Sequence, residues 1–485
     1  MDLNQIALWL AGMPAATLLW KSARAPHRKI GWMVVSALVL LVALVGWLVV
    51  PELAGYLAGT LALLLILIPT WIHNAAARAS NRFLYRRARR LFTLASLLHP
   101  LDGWLDMPRL FRAFELAHVG KTAEADALLQ VLSQGTGDVA AIAQAHRLRI
   151  AGRWRELSGL AEQNGLMTLG GDPSLLVLYL RALGELGEID RLAEFMGARE
   201  QSLLRSGAFD AGLLYLFAFS GQVELTRQAL ASGRASYTED TRQFWVALAS
   251  QRSGDSEQAQ RLFGSLRQSS DLQIRQRAER HIDELLYAAP AEPPSMRVLQ
   301  VVAHFARLAG QRQNLMPNQS ARRSARRITV PLLIANTAVF LLGSRPRFID
   351  TNDEFVRRWA FSATDIVVGG EWWRVFSYMF VHGSAIHLVM NMAGLWVLGP
   401  FVERAFGRLR FTLIYFLSGC SACSLYLFLP AEPLVGASGC IMGMLGATAA
   451  VVLRAWIRQR APIARQMFFR LLSVVALQVF FDQST

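Results

Sequence analysis

Leu434-Val-Gly436-Ala-Ser438-Gly439-Cys-Ile-Met-Gly443-Met-Leu-Gly446-Ala-Thr-Ala-Ala-Val-Val-Leu453 runs for twenty residues without a charge. A helix needs about 20 residues, at 1.5 Å each, to cross the hydrocarbon core of a bilayer. Gly439, Gly443 and Gly446 follow one another at spacings of four and three, a small-residue face that lets another helix approach closely. The hydroxyl of Ser438 stands at the start of the run, in Gly436-Ala-Ser438-Gly439. The stretch reads as a membrane helix at the centre of a bundle, with a polar group at its entrance.

Working outward, the 485 residues are 53% hydrophobic with a mean hydropathy of +0.30, too apolar for an ordinary soluble protein. Further apolar runs lie at about 3–20, 30–50, 53–72, 328–343, 383–402, 411–429 and 467–481. The first is not a signal peptide, since it opens with Asp2 instead of a basic region. The net charge of +15 is carried mainly by short arginine clusters beside these runs, which fits membrane topology and not nucleic-acid binding. Lys21 to Lys29, Arg78 to Arg90, Arg322 to Arg327, Arg404 to Arg410 and Arg454 to Arg465 are such clusters. The positive-inside rule places all of them in the cytoplasm and the 344–382 loop outside. Cys420, Cys423 and Cys440 lie inside apolar runs, which excludes a disulfide scaffold and reads as helix packing; no metal or organic cofactor is expected.

Between residues 73 and 310 the pattern changes to amphipathic helices separated by glycine turns. Gly120, Gly152, Gly187, Gly221 and Gly254 recur at steps of 32 to 35 residues. Seven positions before each stand Ala113, Ala145, Leu180, Leu214 and Ala247; eight after stand Leu128, Leu160, Phe195, Ala229 and Leu262, all apolar. A helix, turn and helix repeating at about 34 residues resembles the tetratricopeptide class. Such arrays bind peptide or protein partners, although a purely structural role fits the residues equally well.

Ionisable and polar groups inside a membrane segment are costly and mark cavities or work. His387 and Asn391 are four apart, on one helical face near the outer end of the 383–402 run, and Ser438 enters its helix at a similar depth. A serine between glycines admits a substrate backbone close to its hydroxyl, and imidazole and carboxamide N–H groups can donate to an oxyanion. The constellation is that of acyl transfer.

With these residues in place, 328–485 resembles the rhomboid family of intramembrane serine proteases. The matching elements are Trp373-Arg374 in the outer loop, His382 with His387 and Asn391, Gly399-x3-Glu403-x3-Gly407, and Gly436-x-Ser438-Gly439. The resemblance implies Ser438 as nucleophile, His387 and Asn391 in the oxyanion hole, Trp373 and Arg374 bracing the loop, and His382 and Glu403 in structural hydrogen bonds. It further implies a transmembrane protein substrate cut at or near the outer membrane boundary. Asp353, Glu354, Asp365 and Glu371 read as ordinary solvated carboxylates of that loop.

The family's general base is a histidine on a sixth core helix, and no histidine occurs after His387 in this sequence. The reading is a fragment of a longer reading frame; the alternative is a pseudoprotease that binds transmembrane segments while the repeats recruit a partner. A transporter is disfavoured, since no internal symmetry of broken helices is present. The expected molecule is an all-α multi-pass protein of a bacterial inner membrane. It has three N-terminal spans in 1–72, a cytoplasmic repeat domain in 73–310, a basic linker in 311–327 and a rhomboid-like core in 328–485.

Overall fold

A computed structural model describes residues 3–24, 29–80, 82–163, 173–232, 237–287, 292–315, 326–344, 351–424, 426, 433–459, 463–469 and 471–472. Arg322 and Arg323 of the basic linker and most of the 467–481 run lie outside the described residues. The chain is all-α, and the described residues add only two isolated bridges, Ser344 with Thr351 and Phe361 with Leu434. Among the described residues, four helices are long and apolar enough to cross a membrane: Ile30–Val49, Ala54–Ser80, Ala385–Ser424 and Ser438–Arg458. This is a multi-pass membrane protein. It divides into two compact units, residues 1–309 and 310–485.

In the first unit, Leu3–Ala23 packs on Ile30–Val49 and on Ala54–Ser80 through Ala11, Ala15, Trp32, Val39, Ala58 and Ile66. Leu3–Ala23 is not among these four; Asn4, Gln5, Pro14 and Lys21 interrupt its apolar run. Asn4 is put to use: its carboxamide accepts from the Gly55 N–H at 2.7 Å and donates to the Pro51 carbonyl at 2.6 Å, holding the turn into the next helix. That helix runs on to Ser80, past the apolar run ending at 72, and contains a π turn at Leu63–Leu67. The π turn lies just ahead of Pro69, whose missing N–H and ring disturb the preceding ladder. Asp102 caps Ile30–Val49, accepting from the Gly31 and Trp32 N–H groups at 3.0 Å each and facing His99 Nε2 at 3.0 Å.

Five helical hairpins follow: Met107–His118 with Thr122–Ser133, Asp138–Ile150 with Trp154–Gln163, Pro173–Glu185 with Ile189–Ala198, Phe209–Phe219 with Val223–Ser232, and Glu239–Arg252 with Ser256–Ser265. The five periodic glycines occupy the five turns with φ between 69° and 87°. In each, the N–H after the glycine reaches back to a helix carbonyl: Lys121 to Leu116, Arg153 to Leu148, Glu188 to Leu183, Gln222 to Phe217 and Asp255 to Ser250, at 2.8 to 3.0 Å. These are Schellman caps, and their left-handed position is why glycine recurs there. The residues seven before the glycines are all buried. Of the five residues eight after, only Phe195 is; the core is made one position later, by Leu129, Ala161, Met196, Leu230 and Phe263. One residue turns the face by about 100°, so an apolar neighbour at the edge of the stripe is easily mistaken for its centre. The array bends until Leu272–Tyr287 meets its first hairpin: Gln273 Nε2 donates to the Ala117 carbonyl at 3.0 Å, and His118 Nδ1 lies 3.5 Å from Asp271.

In the second unit, Thr329–Gly343 has 15 residues, about 22 Å at 1.5 Å per residue, shorter than the hydrocarbon core. The segment read as an outer loop holds three short helices, Asp353–Trp359, Ala363–Val367 and Arg374–Ser377. Ala385–Ser424 is two helices joined at Gly407, whose φ of 78° and ψ of 169° suit only glycine. Ser438–Gln459 lies against both halves: Gly394 faces Ile441, Gly439 faces Ala422 and Gly443 faces Ser418. The absence of side chains at these glycines is what permits the contact.

Candidate active site

Ser438 is the first residue of its helix, and its side chain is exposed. The loop leading to it is pinned twice. Leu434 and Phe361 exchange backbone hydrogen bonds at 3.0 and 3.1 Å, and the Gly436 N–H donates to the Tyr378 carbonyl at 2.9 Å. Tyr378 is itself fixed, buried and donating its hydroxyl to the Gly419 carbonyl at 2.7 Å. Gly436 then turns the chain with φ of 107°.

That turn brings the backbone onto the face carrying His387 and Asn391. A Cβ at Gly436 would lie 2.6 Å from His387 Nε2 and 3.3 Å from Asn391 Nδ2. The tips of both side chains therefore converge on the backbone two residues ahead of the Ser438 hydroxyl. Asn391 is buried, and among the described residues its Nδ2 has no acceptor. A buried, unpaired donor is costly in the resting protein and is ready to bind a negative oxygen. The His387 backbone N–H donates to Ser384 Oγ at 3.3 Å. His382, fully buried, stands edge-on to His387 with ring centroids 5.1 Å apart. Its Nδ1 lies 3.2 Å from the Phe380 carbonyl, and its own carbonyl accepts from Thr351 Oγ1.

The remaining motif residues build the frame. Arg374 is buried, donating to the carbonyls of Arg357 at 2.7 Å and Ala360 at 2.9 Å, and pairing with Glu371 at 2.5 Å and Asp365 at 3.4 Å. Glu371, and more loosely the solvated Asp365, compensate the guanidinium that ties the 357–377 segment together. Trp373 beside it is half exposed, as are Trp372 and Phe376. Glu403 is buried and accepts from the N–H groups of Ile328 at 2.9 Å and Thr329 at 3.1 Å, and from Thr329 Oγ1 at 2.8 Å. It caps Thr329–Gly343, which Gly399 allows to approach closely, a Cβ there falling 2.7 Å from Thr329 Cγ2. Gly439 faces the preceding helix, where a Cβ would fall 2.5 Å from Ala422 Cβ. Among the described residues no three His, Cys, Asp or Glu side chains gather to hold a metal ion.

Residues 369–484 match the rhomboid domain. Over 115 residues the chain is 35% identical to RHOMBOID-like protein 6, mitochondrial, of Arabidopsis thaliana, a match covering 24% of this chain and 38% of that protein. It is 38% identical over 104 residues to rhomboid protease GluP of Bacillus subtilis, covering 21% of this chain and 20% of that protein. With rhomboid protease AarA of Providencia stuartii the identity is 26% over 172 residues, 31% of this chain and 60% of that protein. The chain thus spans less than two thirds of these relatives. No solved structure matches it.

Within the rhomboid domain, Ser438, Gly436, His387 and Asn391 come together, while Arg374 and Glu403 direct their hydrogen bonds to the scaffold. Tyr378 and Leu434, which position the serine loop, were not singled out from sequence. A tyrosine and a leucine in apolar surroundings carry no pattern that distinguishes them from core residues, and the backbone atoms through which they act are common to every residue.

Proposed function

We propose that the rhomboid-like core is an intramembrane serine endopeptidase acting on membrane-anchored proteins at or near the outer membrane boundary. The observation that carries this is the convergence of His387 Nε2 and Asn391 Nδ2 on Gly436, beside the exposed Ser438. In the reaction, Ser438 Oγ attacks the scissile carbonyl carbon, and its proton passes to a general base. The oxyanion takes donors from Asn391, His387 and the serine-loop backbone. The C–N bond then breaks, the proton goes to the leaving amine, and water releases the acyl group. The resemblance assigns the base to a histidine on a sixth core helix, and no histidine follows His387 here. Both His387 and Ser438 lie in the first turn of membrane-length helices, which supports cleavage near a membrane surface and not at mid-depth.

The test is cleavage of a single-span reporter protein in liposomes by the purified complete enzyme, its general base included. Ser438→Ala is expected to abolish cleavage without changing thermal stability, and Asn391→Ala to slow it by about 10²-fold or more through loss of one oxyanion donor. Cleavage that persists in Ser438→Ala would refute the assignment. Reporter binding without cleavage by the unmodified protein would favour the pseudoprotease.

A further inference from the structure

A helical hairpin joins the membrane helices of the first unit to its array. Ala54–Ser80 runs past its apolar part, the chain turns at 82–84, and Tyr85–Leu98 climbs back along it. Ala88 and Phe92 pack on Ala76 and Ala79, and the Phe92 ring meets His73 edge-on at 5.3 Å. The segment after Leu98 is fastened to the first turn of Ile30–Val49. Asp102 caps that turn, His99 stacks on Trp32 at 4.2 Å, and a Cβ on Gly31 would fall 2.6 Å from Leu101 Cβ. Residues 94–105 are thereby held at the end of a membrane-spanning helix.

Two exposed tryptophans mark the depth. Trp20 on Leu3–Ala23 and Trp71 on Ala54–Ser80 each stand sixteen residues, about 24 Å, from the Asn4–Gly55 hydrogen bond at the opposite end. Tryptophans exposed at one level on membrane helices belong to the bilayer interface. At this level one face of Tyr85–Leu98 presents Arg87, Arg90, Leu94, Leu97 and Leu98, all exposed. The leucines lie toward His99 and Trp32, and Leu101 and Leu105 beyond them are exposed as well. Arg90 and Arg87 lie on the far side of Phe92 from the leucines, about 3 and 8 Å along the axis. The stretch 78–115 holds eight arginines and three carboxylates, and every carboxylate is taken. Asp102 caps the helix, Asp106 pairs with Arg109, and Glu115 receives Arg86, Arg89 and Arg112. Arg78, Arg82, Arg87 and Arg90 are exposed and make no ion pair or side-chain hydrogen bond among the described residues.

We propose that this hairpin is an anionic-phospholipid site in the leaflet that faces the array. Leu97, Leu98, Leu101 and Leu105 enter the acyl boundary, and Arg87 and Arg90, with Arg78 on the other arm, receive the headgroup phosphate. The face is continuous with the surface of the spanning helices, so the bilayer that covers them reaches it. A zwitterionic headgroup carries its own cation, whereas an anionic one leaves its charge for the arginines. A second copy docked about a two-fold axis would instead set arginines against arginines. Glu115 ties Arg86 and Arg89 to Met107–His118, so lipid held here bears on the base of the array. The site is independent of Ser438.

The test is binding of dioctanoyl phosphatidylglycerol and dioctanoyl phosphatidylcholine to the full-length protein in neutral detergent, followed by native mass spectrometry. The anionic lipid is expected to bind more tightly, and the preference to fade with added salt. Arg87→Gln with Arg90→Gln should weaken its binding about twenty-five-fold, roughly fivefold per arginine, and lysine at both positions should keep most of it. Arg227→Gln with Arg261→Gln, an equal charge change on the array, should leave it unaltered. In liposomes containing phosphatidylglycerol, a fluorophore on Leu97→Cys should be quenched by lipids brominated in the acyl chain, after subtraction of the signal from the unsubstituted protein. Undiminished phosphatidylglycerol binding in the double glutamine variant, or an unquenched Leu97→Cys fluorophore, would overturn the proposal. So would displacement of the lipid by an equal concentration of glycerol phosphate, which would mark a site for soluble phosphate. A dimer in light scattering that Leu97→Ser with Leu101→Ser dissociates would assign the face to a second copy and overturn it too.

Discussion

At the scale of single residues, the proposed chemistry depends on what is missing from Gly436. With φ of 107° and 2.6 Å between a would-be Cβ and His387 Nε2, alanine there meets both backbone strain and a collision. Gly436→Ala is expected to cost roughly 1–3 kcal/mol and to displace the Ser438 loop from its donors, so that reporter cleavage falls steeply. Gly446→Ala, in the same apolar helix with open space around its Cβ, should be nearly neutral. Equal losses in the two variants, measured by melting and by cleavage in detergent, would contradict this account. The glycine–serine string and the His387–Asn391 spacing were readable in sequence because each is a local pattern. Their mutual approach is not local: 45 residues separate Asn391 from Gly436.

Single elements are held by polar groups at their ends. Glu403 supplies all the side-chain acceptors at the start of Thr329–Gly343, a helix too short and too apolar to be fixed by surface contacts. Glu403→Ala leaves two N–H groups and a hydroxyl unpaired, and a destabilisation of about 3 kcal/mol is expected, with Glu403→Gln intermediate. Thermal unfolding in detergent measures both, and a melting temperature unchanged in Glu403→Ala would show that the cap contributes nothing. The long apolar helices and the break at Gly407 were legible from run length and the charged interval around it. The short helices between 353 and 377 were not, because four to seven residues span at most two turns and leave no period to detect.

For the whole molecule, the alternating arginine clusters predict one sidedness. In intact cells an impermeant maleimide is expected to label Val368→Cys in the loop and not Glu257→Cys in the helical array; labelling of the latter alone would reverse the topology. A second expectation concerns acid. Burial, reinforced by Arg149, holds His146 well below its ordinary value of 6.5. Between that lowered value and 6.5 the unfolded chain binds the proton that the folded one refuses, so stability falls as pH drops through this window. The protection factors of residues 138–163, taken relative to intrinsic amide exchange at each pH, should fall on going from about pH 7.5 to pH 5, and His146→Gln should flatten the change. An identical pH response in the variant would assign the acid sensitivity to other groups.

Run length, charge alternation and the glycine period were sufficient for an all-α membrane protein with a helical array between two apolar regions, because each is a property of neighbours along the chain. The period located the buried positions of each first helix but not those of each second helix, where a shift of one residue keeps every position apolar while turning the face by about 100°. Only the folded chain decided that Leu129, Ala161, Met196, Leu230 and Phe263 form the buried stripe there, and that Glu371 and Asp365 compensate Arg374. Each of these depends on groups distant in sequence meeting where water is scarce, and there the energy of a charge is set by its partners more than by its residue type.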